Sequence, residues 1–193
     1  MKNLPNILTV GRLFLTVAFI YCLLHAGMAA MVMAIALFVI ASLTDFYDGY
    51  LAKKYNLISD FGKIMDPIAD KFLVLAAFFI FERMRIIAPW IFLAIFLREV
   101  TVTGSRLAAV RKGRVLAAEQ AGKYKTSLQL LAIFVILVFL TLEVSAVGAG
   151  WSADTRDAWR HVIDMLMLLT VALTVISGIS YFWNNRKVIL LRA

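Results

Sequence analysis

The chain has 193 residues, of which 63% are hydrophobic and 17% are charged, and its formal net charge is +8. A soluble domain is about half apolar and a quarter charged, so this composition excludes an ordinary soluble protein and predicts an all-α integral membrane protein with a single domain, 1–193. The positive charge does not indicate a nucleic-acid partner, because excess Lys and Arg in a membrane protein first reflects its cytoplasmic loops.

Six segments are apolar enough, or nearly so, to cross a bilayer as transmembrane helices of about 20 residues. In chain order they are roughly 7–25, 30–52, 66–82, 88–108, 125–148 and 161–183. The first also has features of a signal peptide, but its basic start is short and another span follows at once, which favours a retained helix. The connection at 143–161 is rich in Gly and Ala and mixed in charge, and we expect it to be a solvated loop.

The distribution of the basic residues predicts the orientation of these spans. If the N-terminus is cytoplasmic, 16 of the 20 Lys and Arg residues fall on the inner side. The four left outside are Arg83, Arg85, Arg156 and Arg160. By the positive-inside rule, this split predicts that both termini are cytoplasmic.

Aspartates appear where the second span ends. Asp45 and Asp48, with Gly49 and Ala52, follow the spacing i, i+3, i+4, i+7 and therefore share one helical face. These two small residues, and Gly62 further on, would let a neighbouring helix or a ligand approach the backbone closely.

A second pair of aspartates begins the third span. Asp66 and Asp70 are four residues apart and share a face of the next helix, whereas Asp60 joins neither face and is expected to be a solvated cap. Four carboxylates in a low-dielectric site resist ionisation unless cations balance them. Oxygen ligands without His or Cys favour Mg²⁺, Mn²⁺ or Ca²⁺ over zinc, and two divalent cations would balance the four charges.

Basic residues in the fourth and fifth spans predict an anion pocket near the aspartates. Arg98 and Arg106 are eight positions apart, about 80° around a helix, so both can lean toward one cavity. Lys123 and Lys125 begin the fifth span, and Glu99 is a local partner for Arg98. A cationic pocket beside a metal site suits an acceptor that itself carries phosphate. Two other classes stay open on the residues alone, a cation transporter and a catalytically silent scaffold.

The aspartates also form a long pattern. From Asp45 to Asp70 the chain reads D-x2-D-G-x2-A-K-x8-G-x3-D-x3-D, which resembles the signature of the CDP-alcohol phosphotransferases at seven of its eight fixed positions. The difference is Lys53, where the family usually has Arg. Lysine keeps the charge but lacks the bidentate fork of a guanidinium.

This resemblance implies a CDP-alcohol phosphotransferase-like bundle and a role for each matching residue. In the family, the aspartates hold two divalent cations, Mg²⁺ or Mn²⁺, on the diphosphate of a CDP-linked lipid. Asp45, Asp48 and Asp66 would then be metal ligands, and Asp70 would be both a ligand and the general base. The nucleotide-binding and CDP-lipid-binding positions would be Asn6, Thr9, Gly49, Ala52, Lys53, Ser59 and Gly62.

Other stretches resemble the phosphatidylglycerophosphate synthase branch of that family, among them NLPNILTVGR and LREVTVTGSR. The branch implies CDP-diacylglycerol as donor, sn-glycerol 3-phosphate as acceptor and CMP as product. The acceptor phosphate would lie near Arg98, Arg106, Lys123 and Lys125. It further implies a multi-pass enzyme of the bacterial cytoplasmic membrane, with its active site facing the cytoplasm and a possible homodimer. Inositol-phosphate, serine and phosphatidylglycerol acceptors remain alternatives.

Overall fold

A computed structural model describes residues 4–25, 27–55, 60–111 and 120–190 of the chain. Within these ranges every regular element is a helix, as the composition predicts, and short turns connect the helices. The helices are α1 (Leu4–Leu24), α2 (Met28–Tyr55), α3 (Asp60–Arg83), α4 (Pro89–Arg111), α5 (Gln120–Val144), the short α6 (Ala146–Ala149) and α7 (Ala153–Leu190).

Each of the six predicted spans overlaps one long helix, and two of these helices are both long and apolar enough to cross a membrane. They are the stretches Tyr124–Val144 in α5 and Ala153–Arg186 in α7. Shorter apolar stretches, Val10–Leu24 and Met28–Thr44, lie in α1 and α2. The all-α prediction is confirmed for the described residues, while the number of crossings stays a prediction.

The helices pack as a bundle around one apolar core. Helix α3 contacts α1, α4 and α5, and α7 contacts α4 and α5. Phe19 of α1, Phe38 of α2 and Phe78 of α3 meet in this core, together with Ile136 of α5 and Met167 of α7. All five side chains are almost completely buried, so the contacts between these helices exclude solvent.

Large apolar side chains also cover the outside of the bundle. Phe14 on α1 and Met165 and Ile179 on α7 are each more than half exposed. A bilayer provides an apolar surrounding for such side chains, which a soluble protein would expose to water. The outer surface of α1 and α7 therefore agrees with a membrane-embedded bundle.

The turn after α3 determines which residues of α3 and α4 face each other. The Arg85 amide donates to the Glu82 carbonyl and the Ile86 amide to the Phe81 carbonyl, each at 2.9 Å, while Arg85 has φ 58°. This is a Schellman C-cap, in which the residue after the helix takes the left-handed conformation. The chain reverses here, and α4 packs back along α3.

The loop predicted at 143–161 is in large part helical, so that prediction was wrong. The Ser152 hydroxyl accepts a hydrogen bond from the Thr155 amide at 3.2 Å, and α7 begins at Ala153, eight residues before the predicted span. Trp151 and Trp159 stack with ring centroids 6.1 Å apart, and both pack on Phe139. Capping and aromatic packing thus outweigh the polar composition of this segment.

Candidate active site

The backbone brings the two aspartate pairs to the same end of the bundle. Asp45 and Asp48 lie near the C-terminal end of α2, and Asp66 and Asp70 lie near the N-terminal end of α3. Only residues 56–59 separate the two helices, and α2 contacts α3. The side chains of these four aspartates lie outside the described ones.

On α2 the aspartates continue the register of the core. Ala34, Phe38 and Ala41 are buried at steps of four and three residues, and Asp45 and Asp48 occupy the next positions at the same steps. A stripe with this spacing occupies one face of a helix. The first aspartate pair therefore takes positions where the helix otherwise carries core residues.

On α3 the aspartates also continue a stripe of buried core residues, here toward the N-terminal end of the helix. Leu73 and Ala77 are buried, and Asp70 and Asp66 occupy the preceding positions of that stripe. Four carboxylates on two core stripes need positive charge beside them. Their oxygens are the ligands that Mg²⁺ and Mn²⁺ prefer, so this donor set fits divalent cations. Among the described side chains, no group of three or more His, Cys, Asp or Glu is placed to hold a metal ion.

The positions assigned to the CDP-lipid are spread over three helices. Asn6 and Thr9 lie in the first turns of α1, which begins at Leu4. Three more lie in α2 and one in α3, namely Gly49, Ala52, Lys53 and Gly62. The side chains of these residues are not among the described ones, and Ser59 lies outside the described residues altogether.

An ion cluster on α3, α4 and α5 is described in full. Glu99 is 1% exposed and pairs with three cations. Lys71 Nζ lies 3.0 Å from Glu99 Oε2, Arg98 Nη1 lies 3.2 Å from Glu99 Oε1, and Lys125 Nζ donates to the same Oε1. Among the described side chains one carboxylate faces three cations, so this cluster, called the Glu99 cluster below, has a surplus of positive charge within that set.

Helix α7 contacts the arginines of α4 through a polar stripe, which consists of Thr170, Thr174, Ser177, Tyr181 and Asn185. Arg98 Nη2 donates to Ser177 Oγ at 3.0 Å, and the guanidinium of Arg106 lies 5.3 Å from the ring centre of Tyr181. Ser177 and Tyr181 are four positions apart in the helix, so Arg98 and Arg106 reach the same face of α7. That the two arginines converge on one cavity stays a prediction.

Lys125 is positioned differently from the arginines. Its ammonium is buried and is held by Glu99. Lys123 lies in α5, but its side chain is not among the described ones. Arg98 and Lys125 thus meet through Glu99, while Arg106 contacts the α7 stripe, one helical turn beyond Ser177.

Sequence reasoning missed Lys71 and the polar stripe of α7. Lys71 directly follows Asp70, and that adjacency was the available signal. The stripe consists of Thr170, Thr174, Ser177, Tyr181 and Asn185, all buried. Its signal was the helical spacing of polar residues inside an apolar span, a pattern that is functional by default in a membrane helix.

Comparison with known proteins identifies the family. The family described as CDP-alcohol phosphatidyltransferase matches residues 2–176. A protein of Bacillus subtilis is 35% identical over 96% of this chain and 96% of its own length. Proteins of Rickettsia typhi (35% identical, covering 94% of this chain and 96% of the relative) and Cereibacter sphaeroides (34%, 93% and 94%) are also similar. All three are named CDP-diacylglycerol–glycerol-3-phosphate 3-phosphatidyltransferase.

The family match covers most of the chain, and it agrees with the aspartate pattern that runs from Asp45 to Asp70. The chain belongs to the CDP-alcohol phosphatidyltransferase family.

Proposed function

We propose that this protein is a phosphatidylglycerophosphate synthase, which transfers the phosphatidyl group of CDP-diacylglycerol to sn-glycerol 3-phosphate and releases CMP. The observation that carries the choice of acceptor is the surplus of positive charge in the Glu99 cluster, where Lys71, Arg98 and Lys125 share one buried carboxylate. An acceptor that carries a phosphate would balance this charge, whereas serine would not. The relatives' names support the same reaction.

The acceptor phosphate is proposed to bind Arg98 and Arg106, with Lys123 and Lys125 completing the pocket. A guanidinium suits this task because its planar N–H groups match phosphate oxygens in pairs. Lys125 needs the largest rearrangement, because Glu99 holds its ammonium in a buried position. Glu99 would position the cations and would not touch the phosphate.

Asp70 is proposed to act as the general base. It would accept the proton of the primary hydroxyl of glycerol 3-phosphate, whose oxygen then bonds to the phosphorus of the phosphatidyl group. The bond from that phosphorus to the CMP oxygen breaks, and CMP leaves with the bonding electrons. The base must lie within hydrogen-bond reach of the hydroxyl, and the pocket on Arg98 and Arg106 would hold the acceptor for that contact.

Two divalent cations, Mg²⁺ or Mn²⁺, are proposed to be held by Asp45, Asp48, Asp66 and Asp70. When bound, they would neutralise the charge of the diphosphate and orient the attacking and leaving oxygens in line. The cytidine diphosphate is proposed to contact Asn6, Thr9, Gly49, Ala52, Lys53, Ser59 and Gly62, the positions that match the family.

An apolar groove supports a lipid-linked donor. A cavity of about 610 Å³ lies among α1, α3 and α4, with Phe72, Phe79 and Phe96 on its walls and Lys71 and Glu99 at one end. An acyl chain in this groove would bring its headgroup to Lys71, the residue after Asp70. Ala76 also lines the groove, and replacing it with Trp is expected to raise the KM for CDP-diacylglycerol and leave the KM for glycerol 3-phosphate unchanged.

The topology proposed with this function has six transmembrane helices in the bacterial cytoplasmic membrane, with both termini and the active site on the cytoplasmic side. The split of basic residues across the predicted loops supports this orientation. A homodimer is proposed from the family resemblance, and the mass of the purified protein in detergent tests it.

The decisive experiment is an acceptor panel with CMP release as its readout. The purified protein is given CDP-diacylglycerol, Mg²⁺ or Mn²⁺, and one of four acceptors: glycerol 3-phosphate, inositol phosphate, serine or phosphatidylglycerol. We expect turnover with glycerol 3-phosphate. Absence of CMP release with this acceptor, under conditions in which the Bacillus subtilis relative is active, would contradict the proposal.

A matched pair of aspartate variants tests the catalytic assignment. Asp70→Asn removes both the base and a ligand charge, so kcat should fall by about 10³-fold or more. Asp60→Asn changes an aspartate ten positions earlier in α3 that joins neither stripe, and it should stay within about twofold of the wild type. Equal losses in the two variants would refute the role of Asp70.

A further inference from the structure

A second groove lies on the outer surface of the bundle between α4 and α7. Its volume is about 510 Å³, and its apolar wall is formed by Val175, Ile179 and Phe182 of α7. Ile179 is more than half exposed, as is Trp183 at the end of the groove. This part of α7 belongs to the stretch Ala153–Arg186, which is long and apolar enough to cross a membrane. The groove is therefore open to the acyl chains of a surrounding bilayer.

Two arginines line this groove from opposite helices. Arg186 lies with its guanidinium 4.5 Å from the ring centre of Trp183 and donates to the Trp183 carbonyl at 3.1 Å. Arg98 comes from α4, 88 positions earlier in the chain. No carboxylate is among the described residues that line the groove. Arg98 is paired with Glu99, which lies outside the lining, so the positive charge left to the groove is chiefly that of Arg186.

Arg98 crosses α7 at a glycine. A Cβ atom at Gly178 would lie 3.2 Å from Arg98 Cγ and 3.9 Å from Arg98 Nε, so the missing side chain leaves room for the arginine. Arg98 Nη1 and Nη2 are engaged by Glu99 and Ser177, whereas the buried Nε has no hydrogen-bond partner among the described residues. One donor of Arg98 is thus left on the side of Gly178, which lines the groove.

Apolar walls and two cations together define one class of ligand. A free anion would leave the apolar wall uncovered, and an uncharged lipid would leave Arg186 without an anionic partner among the described residues and the Nε–H of Arg98 without an acceptor. An anionic phospholipid satisfies both, because its phosphate can lie at arginines near the end of a membrane helix while an acyl chain covers the apolar side chains. Basic grooves between membrane helices bind acidic headgroups for this reason.

We propose that the groove between α4 and α7 binds an anionic phospholipid of the surrounding bilayer, with the headgroup at Arg186 and Arg98 and an acyl chain along Val175 and Ile179. The lipid site can be tested apart from the proposed catalytic activity, since its headgroup contact at Arg186 is not among the residues proposed for catalysis or substrate binding. Arg98 is shared with the Glu99 cluster, so the two sites are in direct contact.

Trp183 provides a built-in probe of this groove. Of the other tryptophans, Trp90 and Trp159 lie near the starts of α4 and α7 and Trp151 lies just before α7, so all three are at the opposite end of these helices. The full-length protein is reconstituted in vesicles of brominated phosphatidylcholine, which quenches tryptophan on contact. The signal of Trp183 is the difference between the wild type and Trp183→Phe. Unbrominated phosphatidylglycerol or phosphatidylcholine is then added to displace the quencher.

We expect phosphatidylglycerol to relieve the quenching of Trp183 at about one fifth of the mole ratio that phosphatidylcholine needs, the factor typical of one arginine at a membrane surface. Arg186→Gln should abolish most of this preference. Arg156→Gln, which removes an exposed arginine at the opposite end of α7, should keep it. Val175→Phe fills the apolar wall without changing charge and should weaken quenching by brominated lipid of either headgroup.

Three results would overturn the proposal. Equal displacement by the two lipids would show that the groove does not select an anionic headgroup. An unchanged preference in Arg186→Gln, with the emission of the other tryptophans as in the wild type, would remove Arg186 from the site. Insensitivity of Trp183 to brominated lipid, as expected if a second copy of the chain covers the groove, would exclude a lipid there.

Discussion

Replacing Glu99 by glutamine should be among the most destabilising single changes in the bundle. Glu99 and Lys125 are each 1% exposed, and Lys71 and Arg98 also contact this carboxylate. The substitution would keep the size of the side chain but leave three cations facing one neutral amide. Breaking a buried ion pair by removing one partner costs about 3–5 kcal/mol, because the remaining charge stays buried without compensation.

The distribution of this cost among the cations can be worked out from their exposure. Lys71 is 29% exposed and can turn toward the surface, so losing its pair with Glu99 costs less. Lys125 cannot turn toward solvent in this way, since its side chain is only 1% exposed. We therefore expect most of the loss to come from Lys125, with a free energy of unfolding lowered by about 3 kcal/mol in Glu99→Gln.

A double-mutant cycle in mixed micelles, with SDS as denaturant and circular dichroism as readout, measures this coupling. In Glu99→Gln combined with Lys125→Met the unpaired buried charge is gone, so the double variant should be about 2–3 kcal/mol more stable than the sum of the single effects predicts. Asp164→Asn removes an exposed carboxylate of α7 and should change stability by less than about 0.5 kcal/mol. A Glu99→Gln protein within about 1 kcal/mol of the wild type, or strictly additive effects, would refute the reasoning.

Two further substitutions test local geometry. Arg85→Gly should stabilise the protein by about 0.5–1 kcal/mol, because Arg85 has φ 58° and glycine avoids the cost of the left-handed conformation. Arg83→Gly, inside the last turn of α3, should instead destabilise the protein by about 1 kcal/mol. Unfolding titrations that show the same sign for both variants would contradict the capping argument. Gly178→Ala should raise the KM for glycerol 3-phosphate about tenfold, because the added Cβ would press on Arg98. Arg98 is held by Glu99 and Ser177, so it cannot move away without weakening those contacts. An unchanged KM would show that Arg98 shifts without losing its contribution to acceptor binding.

What the sequence predicted well was local in the chain. The shared faces of Asp45 with Asp48 and of Asp66 with Asp70 follow from helical periodicity alone. Apolar runs locate both ends of α1, α2 and α4 to within three residues, while α3, α5 and α7 begin five to eight residues earlier than predicted. The family pattern extended this local information to metal and nucleotide roles, which stay predictions for the side chains that are not described.

The features that sequence analysis missed depend on contacts between segments that are distant in the chain. Lys71, Glu99 and Lys125 come together only because the turn at Arg85 folds α4 back along α3 and α5 packs on α3. The early start of α7 was missed for a different reason: the hydroxyl of Ser152 caps a helix whose first turns are polar. Composition measures how apolar a segment is and contains no information about such a cap or such a contact.

The register of the four aspartates has a consequence for the evolution of this bundle. Asp45 and Asp48 extend one core stripe, and Asp66 and Asp70 extend another, so each occupies a position where an apolar residue would favour folding. Selection for stability alone would replace them with leucine or valine, and selection for turnover would retain them. The end of the bundle that carries these residues therefore illustrates a trade-off between stability and activity, in which a more stable variant such as Asp48→Leu is expected to be an inactive one.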